Sequence, residues 1–179
     1  MVQIILKVML LATLPIQAAE LPPLTHSLAT ITPPFAAPAL RLNNMDEEIV
    51  DIKDLHGKVI VLNFWATWCP PCRREMNSLE ALNLATADKN VVVLAVNIAE
   101  DIETVFSFLG TMTPSPSFPI LFDSTGLSLE QWQVLGLPTT YIIDRTGQVT
   151  YKAIGGREFD HPDILQKIIA LSQTQKVVK

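Results

Sequence analysis

Cys69 and Cys72 are the only cysteines of this 179-residue chain, and two prolines separate them. They follow the apolar run 59–65 and precede an amphipathic segment, so the sequence places Cys69 at the N-terminus of a helix. Unsatisfied backbone N–H groups and the positive end of the helix dipole stabilise a thiolate there and lower the thiol pKa. Cys72 returns to the same helix face and can attack a mixed disulfide formed by Cys69. The pair is therefore predicted to work as a redox couple, with Pro70 and Pro71 stiffening the first helical turn.

Two other uses of the cysteine pair have weaker support. A structural disulfide across a four-residue ring would stabilise the fold by only roughly 2 kcal/mol. A zinc site needs further ligands, and neither a second Cys-x-x-Cys nor close spacing of His26, His56 and His161 supplies them. We therefore expect no metal site and no cofactor beyond a Cys69–Cys72 disulfide. Soft thiolates suit Cu(I), however, so a copper-binding carrier or folding helper stays open as an alternative.

Two apolar runs and the segment between them predict the unit that carries the dithiol. Runs 59–65 and 91–96 are rich in β-branched residues, as in strands that are buried on both faces. Residues 73–84 between them carry an apolar stripe at helical spacing. The stripe consists of Met76, Leu79, Leu82 and Leu84. The pattern predicts two parallel strands joined by a right-handed helical crossover.

Other periodic segments complete the predicted fold. An edge strand with a turn is predicted over 49–58, and a hairpin over 139–152. Helices are predicted over 102–109, 128–135 and 162–171, the last with Asp160 as its N-cap. The sum is an α/β fold in which a mixed central sheet is flanked by helices.

The first forty residues lack the pattern of a folded domain. Residues 1–19 hold one base, no acid and an apolar run before small residues, which is typical of a secretory signal peptide. A segment that packs on the domain or stays as an anchor is the alternative, although the run is too short to predict a transmembrane span. Residues 20–40 carry five of the 13 prolines, which favours an extended linker. The domain is predicted over 41–173, with a tail over 174–179, in an exported, periplasmic or otherwise extracytoplasmic protein.

The charge of the chain excludes one class of partner. Thirteen Lys and Arg face 18 Asp and Glu, which gives a net charge of -5. The sequence shows no basic stripe that could neutralise phosphates, so we expect no nucleic-acid partner. Hydrophobic residues make up 49% of the chain and charged residues 17%, which favours a packed core over a disordered chain.

Several motifs resemble a known family. Residues 63–72 read Asn-Phe-Trp-Ala-Thr-Trp-Cys-Pro-Pro-Cys, and residues 136–144 read Gly-Leu-Pro-Thr-Thr-Tyr-Ile-Ile-Asp. Thr146-Gly147 and Gly155-Gly156 follow. Over about residues 41–171, these features are similar to the TlpA-like branch of the thioredoxin superfamily, which includes the ResA and DsbE types.

The resemblance implies a fold and an activity. The fold would be a thioredoxin fold with an N-terminal β-hairpin, which matches 49–58, and an insert after the second core strand, which matches 102–119. The activity would be that of an exported thiol-disulfide oxidoreductase that works mainly as a reductant. Protein disulfides would be its substrates, and a membrane thiol reductant its electron donor.

The resemblance also assigns a substrate-binding surface. Pro138 falls where the family has a cis-proline that faces the dithiol, and the backbone of Leu137 would pair with an extended substrate; the alternative is an ordinary trans-proline after a helix. DsbE-type proteins usually carry an acidic residue after this proline, so Thr139 favours a TlpA or ResA type. Trp68 is predicted to flank the sulfur of Cys69, or else to be a core aromatic. The predicted substrate-binding residues are Trp68, Pro70, Pro71, Leu137, Pro138 and Thr139.

Glu75 is the candidate for proton transfer. It lies three residues after Cys72 and could exchange a proton with that thiol if burial raised its pKa. A glutamate at this position is linked in the family to setting the thiol pKa. The alternative is an acid in the first turn of the helix that pairs with Arg73 or Arg74. Asn63 stands where classical thioredoxins carry a buried aspartate, and because an amide takes up no proton, Glu75 is the nearest acid-base group.

The sequence leaves three functions in order of preference. The first is a dithiol reductant of protein disulfides, such as those of apocytochrome c or of the copper-site cysteines of an oxidase, as in related family members. The second is a disulfide-forming oxidant on the same fold, because the two prolines do not report the redox potential. The third is the Cu(I) carrier or folding helper.

Overall fold

The computed structural model describes residues 22–174. The predicted signal peptide, 1–19, and residues 175–179 of the predicted tail lie outside this range. The elements are β1 (Ala29–Ala36), β2 (Arg41–Asn44), β3 (Ile49–Asp51), a 3₁₀ helix (Ile52–Leu55), β4 (Val59–Trp65), α1 (Pro70–Thr86), β5 (Val91–Ile98), α2 (Ile102–Leu109), β6 (Ile120–Asp123), α3 (Leu127–Gln131), β7 (Thr139–Ile143), β8 (Gln148–Ile154) and α4 (Pro162–Gln173).

A single eight-stranded sheet has the order β1-β8-β7-β4-β5-β6-β2-β3. Strand β4 is buried along its whole length, as its continuous apolar run predicts. It pairs in parallel with β5 and antiparallel with β7. Because α1 connects β4 to β5, the predicted crossover unit lies at the centre of a mixed sheet. The predicted α/β thioredoxin-type architecture is confirmed.

Helices cover both faces of the sheet. On one face, α1, α2 and α4 pack together in a cluster of buried apolar residues, to which α1 contributes Met76, Leu79 and Leu82. Leu84 is exposed instead, because it follows Leu82 by two residues and so turns away from the stripe. On the other face, Trp132 at the end of α3 packs against the aromatic rings of β4 and β7. Within residues 22–174, none of the helices has both the length and the apolar composition needed to span a membrane.

The prediction of an extended linker over 20–40 is wrong for Ala29–Ala36. Residues Ala29–Ala36 form the edge strand β1, which pairs antiparallel with β8. A proline is tolerated in an edge strand, where its missing N–H need not face a partner, and the register of β1 shifts between Thr30 and Phe35. The proline content of this segment indicated a linker, but the segment forms a strand at the edge of the sheet. The folded domain therefore begins well before residue 41.

Some predicted boundaries also differ from the structure. The N-terminal hairpin is formed by β2 and β3, upstream of most of the predicted range 49–58, where a 3₁₀ helix follows β3. Strand β6 was not predicted, because four residues after a Pro-rich loop give little periodic signal. Helix α3 ends at Gln131 rather than at residue 135. His161, not Asp160, is the N-cap of α4, because its Nδ1 accepts from the backbone N–H of Asp163.

The predicted insert packs beside the start of α1. It contains α2 and the loop that leads to β6. The ring of Phe108, on α2, lies 5.7 Å from that of Trp65, and the guanidinium of Arg73 lies 5.0 Å from the Phe108 ring centre. Farther along α1, the buried carboxylate of Glu80 accepts from the backbone N–H and the hydroxyl of Ser117. The insert is thus held against the helix that carries the dithiol.

Candidate active site

The two cysteines form a disulfide at the N-terminus of α1. Cys69 is the N-cap, and its Sγ lies 3.4 Å from the backbone nitrogen of Cys72, which donates to it. Pro70 and Pro71 fill the first helical turn, where their missing N–H groups leave no hydrogen bond unmade. Both cysteines are almost fully buried. A thiolate formed at Cys69 would face the free N–H groups and the positive dipole end of α1.

A carboxylate holds the turn before Cys69 in place. Glu100 accepts from the backbone N–H of Thr67 at 2.7 Å and from its hydroxyl at 2.5 Å. It also accepts from Nδ2 of Asn97 at 2.7 Å. Sequence reasoning missed Glu100. The available signal was its position just after β5, since the carboxyl ends of the parallel strands β4 and β5 share one edge of the sheet.

Two tryptophans near the cysteines have opposite environments. Trp65 ends β4 and is fully buried. Trp68 adjoins Cys69 and is 67% exposed. Trp68 therefore offers a flat apolar surface to solvent next to the disulfide, and it is not a core aromatic.

Pro138 lies at the same edge of the sheet as the dithiol. Its peptide bond with Leu137 is cis. Thr139 begins β7 opposite Phe64, near the end of β4, so the cis-proline lies beside the turn that leads to Cys69. The hydroxyl of Thr139 donates to the carbonyl of Gly136 at 2.7 Å. The fold thus brings together the two predicted motifs, which are far apart in sequence.

Glu75 is fully buried one helical turn after Cys72. Its carboxylate accepts from Nδ2 of Asn63 at 2.8 Å and from the backbone N–H of Arg157 at 2.9 Å. Burial raises the pKa of Glu75 to about 8, and the two hydrogen bonds and the charge of Arg157 offset only part of this effect. Nδ2 of Asn63 also donates to Thr140. Glu75 can therefore hold or release a proton near neutral pH.

Arg73 and Arg74, which the sequence offered as ion-pair partners of Glu75, contact other residues. Arg73 lies over the Phe108 ring, and Arg74 donates to the carbonyl of Pro22 at 2.6 Å. Within residues 22–174, neither arginine forms an ion pair with Glu75. The sequence could not show that the donor to Glu75 is the backbone of Arg157, because that contact depends on the path of the chain after β8.

Residues Pro22–Ser27, here called the N-terminal strap, lie over this region. The backbone N–H of Thr25 donates to Gly156, and the carbonyl of Thr25 accepts from Glu158. A Cβ at Gly156 would lie 2.5 Å from Leu24 Cδ2 and 3.3 Å from the carbonyl oxygen of Pro71, so only glycine fits without a shift. The strap therefore packs against Gly156, in the loop that donates to Glu75, and Gly156 in turn lies close to Pro71 of the dithiol turn.

A disulfide at a helix N-terminus, a cis-proline at the same sheet edge and a buried glutamate, on this α/β fold, place the chain in the thioredoxin superfamily. Residues 33–168 match the Redoxin family model. The chain belongs to this family, and the resemblance stated from its motifs is confirmed.

Curated relatives agree with this class. The thioredoxin-like protein YneN of Bacillus subtilis is 42% identical over 116 residues, which are 63% of this chain and 66% of YneN. The thiol-disulfide oxidoreductase ResA of Halalkalibacterium halodurans is 35% identical over 64% of each chain. ResA of Bacillus cereus is 32% identical over 74% of this chain and 76% of its own. The chain thus spans just under two thirds of the length of the first two relatives.

A solved structure extends the likeness to the fold. A Chlorobium tepidum protein named as a thiol:disulfide interchange protein of DsbE type superposes with a TM-score of 0.72 at 30% identity. The match covers 82% of this chain and 99% of that one.

Replacing Glu75 with Gln should change how stability depends on pH. The folded protein keeps Glu75 protonated up to about pH 8, whereas the unfolded chain loses this proton near pH 4.5. The wild type is therefore fully stabilised below pH 4.5 and loses stability as the pH rises through 8. Glu75→Gln lacks this loss and should gain a few kcal/mol over the wild type across that interval, since one pKa unit is about 1.4 kcal/mol.

The measurement is denaturant unfolding of the oxidised proteins at several pH values between these limits. Glu103→Gln, an exposed change on α2 that also removes one carboxyl group, is the matched control. Parallel curves for Glu75→Gln and the wild type would show that Glu75 ionises at an ordinary pH.

Proposed function

We propose that this protein is an exported dithiol reductant of protein disulfides. The observation that carries the proposal is the position of Cys69 as the N-cap of α1, with Cys72 and Glu75 buried behind it. The N-cap position favours a thiolate at Cys69, and the buried position protects Cys72 from reagents that do not first react at Cys69. Extracytoplasmic location rests on the predicted leader, 1–19, whose composition is that of a signal peptide.

The proposed reaction moves two electrons from the dithiol to the substrate. The Cys69 thiolate attacks one sulfur of a substrate disulfide, and the other substrate sulfur leaves as a thiolate. Cys72 then attacks Cys69, which releases the second substrate sulfur and closes the Cys69–Cys72 disulfide. An external dithiol, which we assign to a membrane thiol reductant, reduces this disulfide again and becomes oxidised.

Glu75 is proposed to take the proton of Cys72 in the resolving step. Residues three apart on a helix are neighbours, so the carboxyl group lies one turn below the thiol. A pKa near 8 is close to the ordinary pKa of a thiol, about 8.5, so proton transfer between the two costs little. Asn63 and the Arg157 backbone orient the carboxylate.

Substrates are proposed to dock on the edge that carries Trp68 and the cis-proline. Trp68 and Pro70 are exposed beside Cys69, and Leu135, just before the cis-proline, is 96% exposed. An extended substrate can pair with the backbone around Leu137, which brings its disulfide toward Cys69. Apocytochrome c and the copper-site cysteines of an oxidase are the proposed substrates, and Thr139, which lacks a carboxylate, favours a ResA-like over a DsbE-like preference.

Replacing Cys72 with Ser should trap the first intermediate. Reduced Cys72→Ser, mixed with an excess of a peptide that carries an oxidised Cys-x-x-Cys-His, should accumulate a mixed disulfide at Cys69, because Cys72 is not there to resolve it and only the freed peptide thiol can reverse the step. The wild type should release reduced peptide, and Cys69→Ser should do neither. Intact-mass spectrometry after acid quenching measures all three. A copper carrier would instead form no mixed disulfide and would lose Cu(I) affinity in both variants.

The redox midpoint decides the direction of electron flow. A reductant should equilibrate near thioredoxin, at about -270 mV, rather than near the strong oxidant DsbA, at about -120 mV. Thiol-buffer titration, with alkylation of Cys69 and Cys72 read by mass, gives this value. A midpoint near that of DsbA would make the protein a disulfide-forming oxidant on the same fold.

Replacing Trp68 with Ala should slow the reduction of protein substrates. Loss of an exposed aromatic contact at a docking surface should lower kcat/KM for a protein disulfide on the order of tenfold. The rate with a small disulfide such as oxidised glutathione should change little, because it does not need the surface. Leu84→Ala, equally exposed but farther along α1, is the control. Equal losses for large and small disulfides would argue against a docking role for Trp68.

A further inference from the structure

Outside the dithiol site, two histidines and an aspartate meet where the N-terminal strap reaches α4. His26 belongs to the strap, His161 is the N-cap of α4, and Asp163 lies in its first turn. One ligand atom from each of the three lies within 4.8 Å of the others. His26 Nε2 is 3.6 Å from Asp163 Oδ2, and His161 Nδ1 is 3.7 Å from the same oxygen.

These separations suit a small divalent ion. Two ligands bound to Zn²⁺ at about 2.0–2.1 Å in tetrahedral geometry lie about 3.3 Å apart. The two observed distances exceed this value by a few tenths of an ångström. Because an imidazole nitrogen binds an ion in the plane of its ring, the two stacked rings must also turn toward a common point when the ion binds. Imidazole and carboxylate together are a ligand set for Zn²⁺ and Cu²⁺ rather than for Ca²⁺ or Mg²⁺, which prefer oxygen ligands alone.

Ring stacking and backbone hydrogen bonds hold the two histidines close to Asp163. The imidazole rings of His26 and His161 stack at 3.9 Å with an interplanar angle of 17°. Backbone hydrogen bonds that join Thr25 to Gly156 and Glu158 fix the strap, and they hold the backbone next to His26 in place. Within residues 22–174, the ion-pair partners of Asp163 are the imidazoles of His26 and His161 rather than a lysine or an arginine.

The surface position leaves room for further ligands. The side chains of His26 and Asp163 are 52% and 60% exposed, so water can complete the coordination of an ion. Binding exchanges one hydrogen bond, because the lone pair of His161 Nδ1 now accepts from the backbone N–H of Asp163. That N–H lies at an exposed helix end, where water can replace the imidazole.

We propose that His26, His161 and Asp163 form a binding site for a divalent transition ion of the Zn²⁺ class, which staples the N-terminal strap to α4. The site is separate from the dithiol and does not depend on the redox function. An ion there would fix the segment that packs against Gly156 and would stabilise the folded chain by mass action.

Isothermal titration of Zn²⁺ into the full chain, without a histidine tag, tests the site. The protein is used with the Cys69–Cys72 disulfide closed, which alkylation verifies, because reduced thiols would bind zinc themselves. We expect one ion per chain and a rise in the unfolding temperature that a chelator reverses.

Three variants locate the ion. His26→Ala, His161→Asn and Asp163→Asn should each weaken binding by about tenfold or more, since even the loss of an outer-shell partner costs roughly that much. Asparagine is a good N-cap, so His161→Asn removes the imidazole without uncapping α4. His56→Ala, the remaining histidine of the chain, should bind as the wild type does.

Two results would overturn the proposal. One is the absence of heat and of thermal stabilisation when the wild type meets Zn²⁺. The other is binding that survives unchanged in both His26→Ala and His161→Asn. The ion-free unfolding temperature of each variant is measured as well, and this comparison separates a lost ligand from a damaged fold.

Discussion

The junction between β4 and α1 is the constraint on which the other features depend. Strand β4 is buried on both faces and is fixed by parallel pairing to β5 and antiparallel pairing to β7, so its carboxyl end has one position in the sheet. The chain must turn there, and the turn makes Cys69 the N-cap of α1. Two groups reach this edge from elsewhere in the fold: Glu100 from beyond β5, which accepts from Thr67 in the turn before Cys69, and the cis-proline from the start of β7. Strand pairing thus sets the active-site geometry.

Burial is the second constraint, because it sets the proton affinity of Glu75. A carboxyl group buried away from solvent holds its proton, and the two N–H groups that donate to it and the charge of Arg157 only moderate this effect. Those donors come from β4 and from the loop after β8, while Glu75 itself lies on α1. The proton affinity of one side chain therefore depends on three segments packed together. Backbone hydrogen bonds join this loop to Thr25 of the N-terminal strap. The surroundings of Glu75 therefore also depend on a segment near the start of the described residues.

The N-terminal strap and β1 belong to the folded domain, which therefore begins before residue 41. Both lie in a stretch whose prolines indicate an extended tether, yet one forms an edge of the sheet and the other packs on the active-site side. A segment with few internal contacts can be ordered when each backbone group finds a partner on an existing edge. Arg157 adds to this anchoring, because its side chain donates to the carbonyl of Ser27 while its backbone N–H donates to Glu75.

The sequence by itself determined the features that depend on neighbouring residues. Local signals predicted the buried strand, the helix after the cysteines and the hairpin of β7 and β8, and they placed Cys69 and Cys72 together at the start of that helix. The motif around Pro138 added the cis-proline by resemblance. Only the tertiary structure decided which distant groups meet. The sequence showed no close spacing among His26, His161 and their neighbours, but strap and helix bring them together. Glu100, the Arg157 donor and the edge strand with its prolines were missed for the same physical reason, since contacts between segments far apart in the chain depend on packing and leave no periodic pattern.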